Sequence, residues 1–329
     1  MAIVYDGSTA VAGFGERAGP GSPKPDGSTI FRTGSLYKTF SGAMLAKLVA
    51  DGQVSFEDQP ETHLKWGIDW PNVDGREIRV IDLATHASGL PREIHLPEAQ
   101  KGKPAAPIAP STFEENLKRP LLFPPGTGVS YSNFGFDILS HVMIAAAGET
   151  YFDYLTRAIL TPNGFTSTTL TPSEAQLANR LHGHSPHGQE IPDSGLAPAD
   201  ASGGFFSTAN DMLRWLAWHL ETTRDGDTEM RLLDHAAWLS RDGLSPIFLS
   251  TAEVGQLAAM GLAWVIMHPD GDRPLVYQKT GGRAGSISHL AFSPARGVGV
   301  FGASNRFDVE AAAALAELAN TIITDLASR

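Results

Sequence analysis

The sequence predicts an α/β protein. One antiparallel sheet is built from both chain ends and flanked by helices, with a mostly helical domain inserted between them. Three observations predict it. β-patterned runs, MAIVY and TAVAGFG, open the chain. A second group of β-rich runs follows residue 260 or so, separated by Gly, Pro and Asp. The strongest helical periodicities lie between these groups and at the end of the chain. Strands at both termini with helices between them fit one sheet carrying an insertion. The expected division is residues 1–60 and 200–329 for the sheet domain and 61–199 for the helical one, with the active site between them.

Each element has its own signal. MAIVY and TAVAGFG are joined at Asp6-Gly7-Ser8, a turn sequence. GPGSPKPDGS is a Pro/Gly-dense loop. A helix is expected from Ser35, because Leu36, Phe40, Met44 and Leu48 recur every four residues and Asp51-Gly52 stops the pattern. Residues 91–112 are dense in Pro and read as a long loop or lid. YSNFGFDILSHVMIAAAG is a second helix, ended by Gly148, and STANDMLRWLAWHLE a third, with Ser207 or Thr208 as its cap. GLAWVIMH, PLVYQKT, SISHLAFS and GVGVFGAS read as an antiparallel meander. DVEAAAALAELANTIITDLA closes the chain as an amphipathic helix.

Composition narrows the function. The 329 residues are 42% hydrophobic and 19% charged, as in a globular protein with a sizeable core. Lys and Arg number 25 against 36 Asp and Glu, a formal charge of −11 with no basic run, which argues against nucleic-acid binding. There is no cysteine, so disulfides, thiolate catalysis and Cys-zinc sites are excluded. No apolar stretch is long enough for a transmembrane helix. No signal peptide is visible. Met1 opens directly onto a strand-like run, so the silence of this N-terminus about export carries little weight.

Three short motifs could carry chemistry. Ser35-Leu36-Tyr37-Lys38 is the single Ser-x-x-Lys in the chain. On a helix, residues three apart share a face, so hydroxyl and ammonium can meet. A serine in a first turn also has its backbone N–H directed outward, where the dipole favours an oxyanion. Tyr131-Ser132-Asn133 is the single Tyr-x-Asn and heads the second helix. Lys279-Thr280-Gly281-Gly282 contains the single Lys-Thr-Gly and ends a strand. Each alone also reads blandly, as a helix cap beside a surface lysine, a capped helix entry, and a strand ending in a Gly turn.

In this order and in these contexts, the three motifs resemble the serine penicillin-recognising enzymes. The Tyr-x-Asn form is similar to the class C β-lactamase variant. LATHASGLPRE, PPGTGVSYSNFGFDIL, GGFFSTANDMLRWL and MGLAWVIM ahead of QKTGGRAG extend the likeness over nearly the whole chain. They look most like the D-alanyl-D-alanine carboxypeptidase/endopeptidases of the AmpH type. The fold this implies is β-lactamase/transpeptidase-like. Two departures stand out. The helix that usually precedes the first strand is missing. Asn305 and Arg306 are the candidate substitutes for the Asn and Arg with which class C β-lactamases hold the β-lactam carboxylate.

The resemblance implies acyl transfer through a serine ester, with no cofactor and no metal. Ser35 would attack, Lys38 would take or relay its proton, and Tyr131 would protonate the leaving amine and later help to activate water. A phenol has a pKa near 10. A lysine about 4 Å away, at an effective dielectric near 20, favours the phenolate by roughly 4 kcal/mol before desolvation opposes it. Two flanking lysines, Lys38 and Lys279, would thus make Tyr131 a usable base. The backbone N–H groups of Ser35 and Gly282 would form the oxyanion hole. Asn133 would orient the substrate amide, Lys279 and Thr280 would meet its terminal carboxylate, and Gly281 and Gly282 would let it lie along the strand. The implied partners are peptidoglycan stem peptides or cross-links, with β-lactams as covalent ligands, in a periplasmic or otherwise extracytoplasmic location. Rival readings are a true class C-type β-lactamase, an esterase on the same fold, and a sensor that is acylated without turnover. Lys279 counts against the esterase.

Weaker signals read structurally. Gly297-Val-Gly-Val-Phe-Gly302 matches G-x-G-x-x-G but sits in a strand with no following βαβ unit. His182, His184 and His187 fall in a Pro/Gly-rich segment and read as a surface loop more than a metal site. His86 is expected to be hydrogen-bonded near the site, and Trp215 and Trp218 to be core. The absence of G-x-S-x-G argues against an α/β-hydrolase.

Overall fold

β1 (Ala2–Tyr5) and β2 (Ser8–Val11) form a hairpin whose two turn residues, Asp6 and Gly7, both have positive φ. That conformation suits an Asp-Gly hairpin turn, and Ser8 already belongs to the strand. The computed structural model describes residues 1–96, 109–192, 204–221, 226–249, 257–283 and 285–329. β3 (Ile30–Arg32) leads into a 3-10 turn (Gly34–Leu36) and α1 (Tyr37–Ala50). The helix therefore starts two residues later than its periodicity predicts, and Ser35 makes no capping hydrogen bond.

The middle of the chain is mostly helical. α2 (Pro60–His63), the small hairpin of β4 (Asn72–Val73) and β5 (Arg76–Glu77), α3 (Val80–Ala84) and α4 (Pro110–Leu117) come first. Of the loop expected over 91–112, residues 97–108 lie outside the described residues. Residues 110–112 are helical instead, because Pro110 suits a first helical position. β6 (Val129–Ser130), α5 (Asn133–Ala147), α6 (Tyr151–Leu155) and α7 (Glu174–Ala178) follow. Ser132 caps α5 by accepting from Gly135 N, and Gly148 ends it with a left-handed φ of 70°.

β7 (Phe206–Thr208) pairs with β3, and Thr208 caps α8 (Ala209–Leu220). α9 (Thr228–His235), β8 (Leu239–Ser240) and β9 (Ile247–Phe248) lead to the meander. The run GLAWVIMH is not one strand. Only Val265–Met267 of it forms a strand, β11; its first residues are the turn back from β10 (Ala259–Met260), where Ala263 takes φ 68° and donates its N–H to Ala84 O. β12 (Val276–Arg283), β13 (Ser286–Ser293), β14 (Val298–Ser304) and α10 (Val309–Ala327) complete the chain.

The main sheet runs β2-β1-β14-β13-β12-β11-β10-β8, antiparallel throughout. The first strand closes against the last, with Ala2 opposite Phe301. Both faces are covered, so all eight residues of β13 are buried. Ala291 and Val300 face Ala319 and Ile323 of α10, whereas Leu290, Phe292 and Phe301 face the core around α1 and α8. α1 is apolar on nearly every side and buried accordingly. Its N-terminal turn lies against β12, and that junction positions the candidate site.

Candidate active site

The close approach begins at Gly34, where φ is +49°. A Cβ there would lie 2.7 Å from Gly282 N and 2.8 Å from Gly282 O. A Cβ on Gly281 would strike Thr33 O and lie 2.8 Å from Leu36 N. Only glycines let the turn before α1 and the strand β12 touch backbone to backbone. On the other side, Thr33 Oγ1 donates to Phe205 O (2.9 Å) and accepts from Phe205 N (3.0 Å). The turn carrying Ser35 is thus clamped between two β segments. Ser35 lies in the turn and Gly282 in β12, on the two backbones that meet here.

Tyr131 reaches this turn from β6. Its N–H donates to Phe248 O (2.9 Å), and Ser130 N donates to His86 O (2.9 Å). His86 has φ +59°; its Nδ1 accepts from Ser132 N (3.1 Å) and its ring packs 4.4 Å from that of Tyr131. Burial, with the charges of Lys279, Lys38 and Arg92 added, holds His86 neutral. This matches its expected structural role.

The three motifs converge. Tyr131 Oη and Ser35 Oγ share a 2.7 Å hydrogen bond across 96 residues of sequence. Lys38 Nζ lies 5.1 Å and Lys279 Nζ 4.9 Å from the Tyr131 ring centre. Lys38 is fully buried and donates to Asn133 Oδ1 (2.8 Å). Lys279 is 2% exposed. Burial pushes the Tyr131 phenol up, but the Lys38 and Lys279 ammoniums, with the hydrogen bonds to Ser35 and Lys38, hold it below its ordinary value. Burial also lowers Lys38, only partly offset by its attraction to Tyr131. Both groups therefore sit below their ordinary values, with Tyr131 in contact with the hydroxyl whose proton they would handle.

Other expected residues are also placed. Thr280 Oγ1 shares a 2.8 Å hydrogen bond with His289 Nδ1. Asn305 Nδ2 donates to Glu16 O (3.2 Å), and Arg306 pairs with Asp308 (2.7 Å). Phe307, not either of those, stands against Gly282, where its ring fills the space a Cβ would take. His182 pairs with Glu190 (2.8 Å) in an exposed loop. Trp215 and Trp218 are core.

Two residues carry roles that motif reading did not assign. Glu93 Oε1 accepts from Asn133 Nδ2 (2.7 Å), which fixes the Asn133 amide between an ammonium and a carboxylate. Arg92 lies 4.9 Å over the Tyr131 ring and pairs with Glu93 (3.4 Å). The available signal was a lone opposite-charge pair at the end of LATHASGLPRE.

Comparison with known proteins identifies the family and the fold. The Beta-lactamase family model matches residues 1–322. The D-alanyl-D-alanine-carboxypeptidase/endopeptidase AmpH of Escherichia coli K12 is 29% identical, over 98% of this chain and 83% of its own. A beta-lactamase of Lysobacter lactamgenus is 24% identical, over 93% of this chain and 81% of its own. The crystal structure of a beta-lactamase/D-alanine carboxypeptidase from Yersinia pestis, complexed with citrate, superposes with a TM-score of 0.85 at 27% identity, covering 99% of this chain and 92% of that one. A class C beta-lactamase mutant shares the fold, at a TM-score of 0.77 and 18% identity over 99% of this chain and 90% of its own.

Proposed function

This chain belongs to the beta-lactamase family and is a serine hydrolase, and from that premise we propose that it cleaves D-Ala-D-Ala-type peptidoglycan peptides, as a DD-carboxypeptidase/endopeptidase that also binds penicillins. The observation that carries the reading is the 2.7 Å contact of Ser35 Oγ with a phenol flanked by two buried ammoniums.

In the proposed reaction, Ser35 Oγ attacks the carbonyl carbon between two D-residues, and its proton passes to Tyr131 Oη, directly or through Lys38. The carbonyl oxygen becomes an oxyanion held by the N–H groups of Ser35 and Gly282, each such donor contributing about 2.7–4 kcal/mol. The C–N bond then breaks, and the proton on Tyr131 goes to the departing amine. Water attacks the resulting ester, gives one proton to Tyr131, and Ser35 recovers a proton as the acid leaves. Asn133 orients the substrate amide. Lys279 draws the terminal carboxylate into the cleft, with Thr280 beside it. Gly281 and Gly282 leave the strand edge bare for peptide backbone.

The engagement of Asn305 with Glu16 and of Arg306 with Asp308 favours a peptidase over an efficient class C-type β-lactamase, because both candidate carboxylate holders already have partners. Lys279, within β12 and not at its end as expected, disfavours the esterase reading. Peptidoglycan lies outside the cytoplasmic membrane, so the proposed location is periplasmic or otherwise extracytoplasmic. Among the described residues no helix is long and apolar enough to cross a membrane.

The test is digestion of purified muropeptides with identification of products, using Ser35→Ala as control. Release of D-alanine or of opened cross-links by the wild type alone is expected. Equal release by the alanine variant would assign the chemistry elsewhere. Mass spectrometry after penicillin addition should show an acyl-enzyme that persists. Immediate return to the free mass would favour the β-lactamase.

A further inference from the structure

A second cluster of chemically active side chains lies behind α1, away from Ser35. His219 ends α8, and Asp234 and His235 end α9. His219 Nδ1 lies 2.8 Å from His235 Nε2, and each of these nitrogens lies 3.7 Å from Asp234 Oδ2. A triangle with those sides has a circumscribed circle of radius about 2.0 Å, so one point lies about 2.0 Å from all three atoms. That is the bond length of zinc to imidazole nitrogen and carboxylate oxygen, about 2.0–2.2 Å.

The surroundings suit a buried ion. The side chains of His219 and Asp234 are fully shielded from solvent, and among the described residues their non-ligating atoms, Asp234 Oδ1 and His219 Nε2, have no hydrogen-bond partner. Trp264 Nε1 donates to Asp234 Oδ2 (3.0 Å), the outer-shell hydrogen bond that orients ligating carboxylates. The walls are aromatic: Trp215, Trp218, Trp264 and Phe292 all pack within 5 Å of the His219 ring centre. The His235 side chain keeps 15% of its surface exposed, which provides an entry.

We propose that His219 Nδ1, His235 Nε2 and Asp234 Oδ2 bind one zinc-class divalent cation that ties the C-terminal ends of α8 and α9 together behind α1. The donor set, two imidazoles and a carboxylate, suits Zn2+ over Ca2+ or Mg2+. Binding needs a lone pair on each nitrogen. The proton shared between the two imidazoles moves to the outer nitrogen of whichever ring holds it, His219 Nε2 or His235 Nδ1, and the Asp234 carboxyl releases its proton to solvent. One cation enters for each proton lost. The site is structural: it lies outside the motif residues, and hydrolysis does not pass through it.

The experiment uses the full chain, purified and dialysed with Zn2+, then freed of excess ion. Metal analysis should find one zinc per chain. Zn2+ should raise the melting temperature of the wild type and a chelator should lower it, a comparison that needs no variant. Co2+ in place of Zn2+ should give intense visible bands of low coordination number. Asp234→Asn and His235→Gln, checked for folding by circular dichroism, should lose both the zinc and the bands. A His182→Ala/His187→Ala variant, which removes the exposed histidine loop, should keep them. Absence of stoichiometric metal with no thermal response in the wild type would overturn the proposal, as would loss of the metal in the loop variant alone.

Discussion

Tyr131 takes its reactivity from its neighbours. Burial alone would make its phenol a poorer acid, and the charges of Lys38 and Lys279, with the hydrogen bonds to Ser35 and Lys38, reverse that. The phenolate form exists above the pKa, so the rate should rise with pH through an acid limb set by this group. In Lys279→Ala one of the two stabilising cations is gone, the Tyr131 pKa moves up, and the acid limb of kcat should shift to higher pH. Tyr131→Phe should lower kcat by about 10²–10⁴-fold while leaving the fold intact. A pH–rate series on a D-Ala-D-Ala peptide checks both, and a limb that stays put in Lys279→Ala would remove Lys279 from this role. Asn133 behaves differently: it holds Lys38 on one side and Glu93 on the other, so it fixes geometry more than charge. The Ser-x-x-Lys and Tyr-x-Asn residues were legible as motifs. Arg92 and Glu93 were not assigned, because their importance lies in which ring and which amide they meet, and no local pattern encodes that.

At the scale of elements, the site depends on two backbones meeting where the 3-10 turn crosses β12. Gly281→Ala should place a Cβ against Thr33 O and Leu36 N, atoms that cannot rotate away. The expected cost is about 1–3 kcal/mol of stability, as for other overpacked sites. Displacement of the turn by even a fraction of an ångström moves Ser35 relative to its donors, and about a 100-fold loss in kcat/KM is expected. Urea unfolding and steady-state kinetics on the same sample check this, and an alanine variant with wild-type values in both would show that the junction is loose. The same scale explains where element reading slipped. Ser35 looks like a cap by type and position, yet its hydroxyl is taken by Tyr131. The run from Gly261 to His268 looks like one strand by composition, yet Ala263 turns out of the sheet to reach Ala84 O. In both cases a tertiary partner overrides the local preference.

Across the whole molecule, a sheet covered on both faces buries polar groups that a one-sided sheet would leave wet. His289, in the centre of β13, is an instance: burial and the nearby Lys279 push its pKa down to about 3. The unfolded chain binds a proton at this residue below about pH 6.5, whereas the folded one does not until about pH 3. More protons bound in the unfolded state means that stability rises with pH, so this contribution is lost as pH falls through that window. The slope is at most about 1.4 kcal/mol per pH unit for one histidine. Urea midpoints measured from pH 7 to pH 4 should fall less steeply in His289→Gln than in the wild type, and parallel curves would show that His289 titrates normally. At this scale the local chemistry of the chain reached far. Asp6-Gly7 specifies a hairpin, alternating and continuous apolar runs specify strands and buried helices, and strands at both ends specify a shared sheet, because turn geometry and hydrophobic period act over a few residues. Packing supplied everything that joins distant segments. The 2.7 Å between Ser35 and Tyr131, the ring of Phe307 over Gly282, and the meeting of His219 with Asp234 and His235 arise from how whole elements stack, and no window of neighbouring residues contains that distance.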